Sequence, residues 1–187
     1  FSATGAYGAD HGSYQIDTDR GPVAARSLVV ATGGLSIPKI GATDFGYRLA
    51  QQFGIALVER RPGLVPLTFD GEAWAPWAQL AGLALPVRIS TGSKKTHMAF
   101  DEDLLFTHRG LSGPAVLQIS SYWQEGAPLA INLAPGTDLE AALAQSKARS
   151  RKRIANELGQ IVTSRLAYAC AAREADWQRP IAEASDK

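Results

Sequence analysis

Two apolar patterns share this chain, and they change over near Pro62 and Pro66. In the first part, Ser13 to Thr18 alternates apolar and polar positions. Asp19-Arg20-Gly21 has turn chemistry and Pro22 to Arg26 returns, so β structure is predicted over 13–26. Leu28-Val29-Val30-Ala31 is apolar on both faces, which predicts a buried parallel strand covered by helices. It stops at Thr32-Gly33-Gly34. Thr43 or Asp44 then caps a helix whose Phe45, Leu49 and Phe53 recur at i, i+4 and i+8. Gly54 suits the left-handed position past its end, and Ile55 to Glu59 is expected as another strand. Strand, glycine turn, helix and strand make α/β grammar.

Beyond Pro66 the segments shorten. Alternation at Leu85–Ser90, Thr96–Asp101, Leu104–His108 and Pro128–Leu133, with a turn at Gly92-Ser93-Lys94-Lys95, predicts a small barrel or sandwich. Pro114 to Trp123 reads as a short helix opened by proline. From Asp138 the chain is helical and alanine-rich, with Ile154, Leu158, Ile161, Val162 and Leu166 on one buried face. Trp74, Trp77 and Trp123 are expected in the core or at a domain interface.

Composition narrows the class. A length of 187 residues predicts one to two domains, and 45% hydrophobic with 20% charged residues is a globular balance. Nineteen basic and eighteen acidic side chains leave a net charge of +1, too weak to draw the whole chain onto nucleic acid. The lone Cys170 excludes an intrachain disulfide, and no Cys/His cluster spells zinc. No apolar run approaches the roughly 20 residues of a membrane span. An intracellular, cytoplasmic globular protein is expected. The chain opens on Phe1, and Ser185-Asp186 at its end resembles the cap of a further helix, so an internal fragment is expected.

Three stretches carry candidate chemistry. Val30-Ala31-Thr32-Gly33-Gly34 ends a predicted strand in small residues, where a ligand can meet backbone without a Cβ in the way. No G-x-G-x-x-G accompanies it, since Gly5, Gly8 and Gly12 have the wrong spacing. The second is Leu105-Phe106-Thr107-His108-Arg109-Gly110-Leu111-Ser112-Gly113-Pro114, where a strand end delivers Thr107 and His108 into a glycine-bounded loop ahead of a helix. Proline at 114 breaks any nucleophile elbow, and no acid partner completes a triad. By spacing alone the preferred reading is a turn, with Ser112 as helix cap and His108 hydrogen-bonded at the surface. The third is Lys147, Arg149, Arg151, Lys152 and Arg153; a solvated helix face is the simpler account, because Glu157 dilutes the charge.

The stretch Leu28 to Tyr47 closely resembles a segment of the YhiN/BaiN-like bacterial flavoproteins. Pro62-Gly63-Leu64-Val65-Pro66-Leu67 resembles the next signature of that family, and Leu104 to Trp123, around Phe-Thr-His-Arg-Gly-Leu-Ser-Gly-Pro-Ala, its third. The family includes proteins named aminoacetone oxidases and NAD(FAD)-utilising dehydrogenases. The resemblance implies an α/β plus β fold. Residues 1–70 would be the later part of a glutathione-reductase-type FAD domain, 71–137 an inserted small β-barrel, and 138–187 the start of a helical subdomain. It implies FAD as cofactor, leaves NAD(P)H open, and assigns Ala31, Thr32, Gly33 and Gly34 to the cofactor. His108, Thr107 and Ser112 become the candidate catalytic group. The expected function is therefore a fragment of an FAD-dependent oxidoreductase acting on a small molecule, without nucleic-acid, membrane or metal partners. Lacking the family's N-terminal glycine unit, the fragment is expected to bind FAD weakly. The alternative is a non-catalytic interaction module.

Overall fold

The computed structural model describes residues 2–4 and 13–184. Gly5, Gly8 and Gly12, and the Ser185-Asp186 cap signal, lie outside the described residues. The chain divides into two compact units, residues 1–60 and 61–187.

The first unit holds a three-stranded antiparallel sheet, β1 (Ser2–Thr4), β2 (Tyr14–Thr18) and β3 (Gly21–Ala25), in that order. β2 and β3 form the expected hairpin: Thr18 pairs with Gly21 across Asp19-Arg20, and the Thr18 hydroxyl donates to the Gly21 carbonyl at 2.7 Å. Helix α1 (Phe45–Gln52) follows as predicted. The Phe45 N–H donates to Thr43 Oγ1 at 3.3 Å, while Asp44 makes no side-chain cap and instead pairs with Arg48 at 3.1 Å. Gly54 takes φ +69, with its N–H on the Gln51 carbonyl and the Ile55 N–H on that of Ala50. That is a Schellman stop, for which glycine is the low-strain choice.

Two predicted strands of this unit are corrected. Leu28–Ala31 and Ile55–Glu59 form no strand, and Val29 and Val58 are 84% and 88% exposed. A parallel strand is made by neighbours on both edges and covers on both faces. Among the described residues of this unit, the only ladder is the β1–β2–β3 meander, which pairs with neither segment.

The second unit carries a five-stranded antiparallel sheet in the order β4-β7-β6-β5-β8, curled as a half-barrel. The strands are β4 (Leu67–Thr68), β5 (Ala84–Thr91), β6 (Met98–Thr107), β7 (Gly110–Ser112) and β8 (Leu129–Asn132). β5 shows the expected period: Leu85, Val87, Ile89 and Thr91 are buried while Ala84, Pro86 and Arg88 face outward. The predicted segments 96–101 and 104–108 are one strand, β6; exposed Asp101-Glu102-Asp103 lie within it, paired in register with Arg88, Val87 and Pro86. Arg88 bonds Asp101 across the ladder at 2.6 Å.

Helix α3 (Pro114–Ser120) fills the hollow of the sheet, burying Ala115, Val116, Ile119 and Ser120 against β5, β6 and β7. Its cap is Gly113 at φ +90, not Ser112, which belongs to β7. Helix α2 (Gly71–Ala78) is a helix the apolar pattern did not reveal, because Pro76 lies inside it. Asp70 caps it, accepting from Glu72 N–H at 2.9 Å. Buried Trp74 lies between Phe69 and Phe106, with ring centroids 4.8 and 6.1 Å away, and Trp77 and Trp123 pack on the same core.

The helical tail is α4 (Leu139–Arg149), α5 (Ile154–Leu158) and α6 (Ser164–Ala171). The single predicted buried face is split between α5 and α6, because the chain turns after Gly159 and Thr163 caps a new helix, accepting from the Leu166 N–H. Cys170 is half-buried, and burial pushes its thiol pKa up, away from thiolate chemistry.

Candidate functional site

Each unit holds one cluster of candidate residues. In the first, a cavity of about 530 Å³ is lined by Ile16 of β2, the 28–32 stretch, Gly41, Thr43, and Phe45, Arg48 and Leu49 of α1. Ala31 and Thr32 are among its walls; Gly33 and Gly34 follow directly without lining it. The close approach of α1 is made possible by Gly46: a Cβ there would stand 3.1 Å from Thr32 Oγ1 and 3.7 Å from Val30 Cγ1. Gly33 adopts φ +70 with nothing within 4 Å of where a Cβ would be, so its backbone face is open.

The lining is apolar with few polar groups. Leu28, Val29, Val30, Phe45 and Leu49 supply carbon, Thr32 and Thr43 hydroxyls, and Arg48 the one cation. Tyr47 of the same helix carries the Arg60 guanidinium 4.3 Å from its ring centroid. The α1 contributions were missed in the sequence because Phe45 and Leu49 look like core residues. The Asp44–Arg48 spacing was the available signal for a positioned cation.

In the second unit, Thr107, His108 and Ser112 belong to the β6–β7 hairpin. Thr107 pairs with Gly110, leaving His108-Arg109 as a two-residue turn. The Thr107 hydroxyl donates to the Gly110 carbonyl at 2.9 Å and accepts the Arg109 N–H at 3.3 Å. Its own carbonyl accepts the indole N–H of Trp74 at 2.9 Å. Thr107 is therefore bound into the turn and the core together. His108 is exposed at the tip, and Ser112 is half-buried opposite Leu105. These three side chains are carried by one hairpin, but no hydrogen bond among them is present.

The glycines here serve packing. A Cβ on Gly110 would fall 2.0 Å from the Leu67 carbonyl of β4, and one on Gly113 would fall 2.8 Å from Asp103 O and Leu105 N of β6. The start of α3 thus rests on strand backbone at Gly113.

Residues 61–187 match the signature described as the HI0933-like protein barrel and H2TH domain. The chain belongs to the HI0933-like family. This is a flavoprotein-related family, so the resemblance seen in the sequence holds at that level. The chain is also 45% identical over 158 residues to the ribosomal RNA dihydrouridine synthase of Escherichia coli (strain K12), a match spanning 84% of this chain and 39% of that protein. It is 47% identical over 129 residues to the ribosomal RNA dihydrouridine synthase of Haemophilus influenzae (strain ATCC 51907 / DSM 11121 / KW20 / Rd), spanning 69% of this chain and 31% of that one. The matched stretch is thus well under half of either relative. Among the described residues, no helix is long and apolar enough to cross a membrane.

Proposed function

We propose that this HI0933-like chain is part of an FAD-dependent enzyme that reduces uridine in ribosomal RNA to dihydrouridine. The observation that carries the reading is its 45% identity, over 84% of its length, to a protein of that name. On this reading the substrate is a base within RNA rather than a free small molecule. Saturating the C5–C6 bond of uracil adds one hydride and one proton. Reduced flavin, when bound, supplies the hydride.

The residues of the first unit fit one wall of such a cofactor site. An apolar cavity of about 530 Å³ with a few polar groups is within the range of cofactor pockets. Ala31, Thr32, the open backbone at Gly33 and the adjoining Gly34 would lie along the cofactor, with Arg48, paired to Asp44, at the edge of the cavity. Residues 1–70 as the later part of a glutathione-reductase-type domain, with the barrel over 71–137 inserted in it, belong to the same proposal. In the second unit His108 is the assigned proton-bearing group, held at the hairpin tip by the bonds of Thr107; Ser112 lines the same hairpin.

The test replaces the aligned segment of the Escherichia coli relative with this chain, in a strain lacking that relative. Nucleoside mass spectrometry of the ribosomal RNA should show dihydrouridine, and the purified chimaera should carry flavin. In the same background His108→Asn should slow base reduction by on the order of 10²–10⁴ while flavin content holds. A soluble, flavin-loaded chimaera that forms no dihydrouridine would overturn the reading.

A further inference from the structure

We infer that the α4–α5 turn, with the outer face of α6, is an RNA-contact surface on which Arg149, Arg151, Lys152 and Arg153 meet phosphates and Tyr168 stacks on an unpaired base. The inference rests on the proposed RNA substrate and names where this chain would grip it.

The charge is dense at the surface. Residues 147–153 contain five cations and no acid. Arg149, Arg151, Lys152 and Arg153 are exposed. Three arginines elsewhere pair with carboxylates, in Arg48–Asp44, Arg88–Asp101 and Arg179–Asp176, while Arg60 and Arg173 lie over aromatic rings. Here Arg149 bonds only the Gln145 carbonyl and side-chain oxygen, and Arg151 and Arg153 meet no carboxylate among the described residues. The nearby acid, Glu157, is only 7% exposed and faces inward. Its carboxylate accepts the Ser150 hydroxyl at 2.8 Å.

Helix-end electrostatics account for only part of this charge. Lys147 and Arg149 suit the last turn of α4, where a helix end carries partial negative charge. Arg151, Lys152 and Arg153 precede α5, with Arg153 at its cap, where the partial charge is positive and cations are unfavourable.

The turn is also built to hold its shape. Ser150, which donates to Glu157, accepts the Lys152 N–H at 3.1 Å. The Lys152 carbonyl accepts the Ile181 N–H at 2.8 Å, the Ile154 N–H reaches Arg179 O at 3.2 Å, and Arg153 bridges to Pro180. Ordering the backbone before binding lowers the entropy lost on binding.

An aromatic ring completes the surface. Tyr168 of α6 is 49% exposed, and its hydroxyl bonds Asn156 Oδ1. Asn156 in turn donates its N–H to the Arg153 carbonyl at 2.9 Å. An exposed, tethered ring beside a cationic turn suits single-stranded RNA, in which unpaired bases stack on aromatics while phosphates take the charge. An acidic peptide would use the cations and leave the ring idle.

The full chain is titrated with a fluorescein-labelled single-stranded oligouridylate across a salt series, with a thermal melt of every variant. R151A/K152A/R153A should stay folded with at most a small drop in melting temperature, from the lost attraction of Lys152 for Glu157, and its log affinity against log salt should have a slope smaller by about two. R151K/R153K should keep the wild-type slope. Tyr168→Leu should weaken binding by about tenfold with the slope unchanged, the mark of stacking rather than charge. K94A/K95A, on the β5–β6 turn, should change neither. An unchanged affinity and slope in the triple variant would overturn the surface, as would polyglutamate competing as well as RNA. Carried into the chimaera, the triple variant should lower dihydrouridine; full dihydrouridine would overturn this surface and leave the enzyme reading standing. If the unmutated chimaera makes none, yet the chain loses RNA with the triple variant, the enzyme reading falls and the surface stands.

Discussion

The two units treat similar apolar sequence in opposite ways. In residues 61–187, Leu85, Val87, Ile89, Leu104, Phe106, Val116 and Ile119 close into one core, and Ile89 is fully buried. In residues 1–60, Val29, Val30, Ile37, Ile40, Ile55 and Val58 are exposed, and Leu49 is the one buried large side chain among the described residues. The three buried polar residues described, Thr91, Ser120 and Glu157, all lie in the second unit. Apolar content does not make a core. What does is whether another element of the same unit offers a complementary face, as α3 does to its sheet. The candidate sites follow the same division: a cavity edged by exposed apolar chain in one unit, a hairpin bonded into a packed core in the other.

That contrast can be broken most directly by truncation. Ile89→Ala should cost about 2–5 kcal/mol of unfolding free energy, through lost burial and the cavity left behind. Val29→Ala should stay within about 0.5 kcal/mol, as for any exposed site. Denaturant melts followed by tryptophan fluorescence read Ile89→Ala, since Trp74 is in the core of the second unit, and hydrogen exchange of the β2–β3 amides reads Val29→Ala in the first. Equal losses at the two positions would mean that Val29 is packed after all.

A smaller effect sharpens the contrast through Glu157. Hydroxyl donation from Ser150, then Ser146, with Lys152 adding attraction, holds its carboxyl below the ordinary value of 4.5, outweighing the opposing cost of burial. A lowered folded-state pKa contributes stability above the unfolded value, lost as pH falls through the folded one. Glu157→Gln should therefore destabilise at pH 7 by about 1.5 kcal/mol, the lower end for bonds to a charged group. The gap to wild type should close as pH falls below the ordinary value of 4.5 and through the lowered folded one. Melts between pH 7 and pH 3 check it; a gap constant with pH would assign the loss to packing.

The smallest effect separates turn from tip. Thr107→Val should cost about 1 kcal/mol through its two turn bonds, while His108→Asn should leave the melting temperature almost unchanged. A large loss from His108→Asn would make the imidazole structural and remove it from the candidate site.

Much of the second unit was legible because its information is local. The period of two in β5, the proline opening α3 and the Leu158–Leu166 buried positions follow from steric and solvation rules acting over a few residues. The β2–β3 hairpin and the glycine stop of α1 in the first unit are of the same kind. Helix α2 was hidden because Pro76 masks helix pattern, and β6 was split because three consecutive exposed acids interrupt its alternation. Arg48 was not legible as part of a site, since a cavity is a property of surfaces brought together.

Sequence alone determined the local vocabulary: which segments turn, which alternate, where helices stop, and the motifs that mark an HI0933-like chain. Those depend on backbone sterics and on the spacing of apolar side chains. Only tertiary structure decided that Leu28–Ala31 is not a strand, that Gly110 and Gly113 serve backbone packing, and that Glu157 turns inward and leaves its neighbouring cations facing solvent. A ladder, a crowded glycine and a buried charge each need a partner far away in the chain, and nothing in the residue itself names that partner.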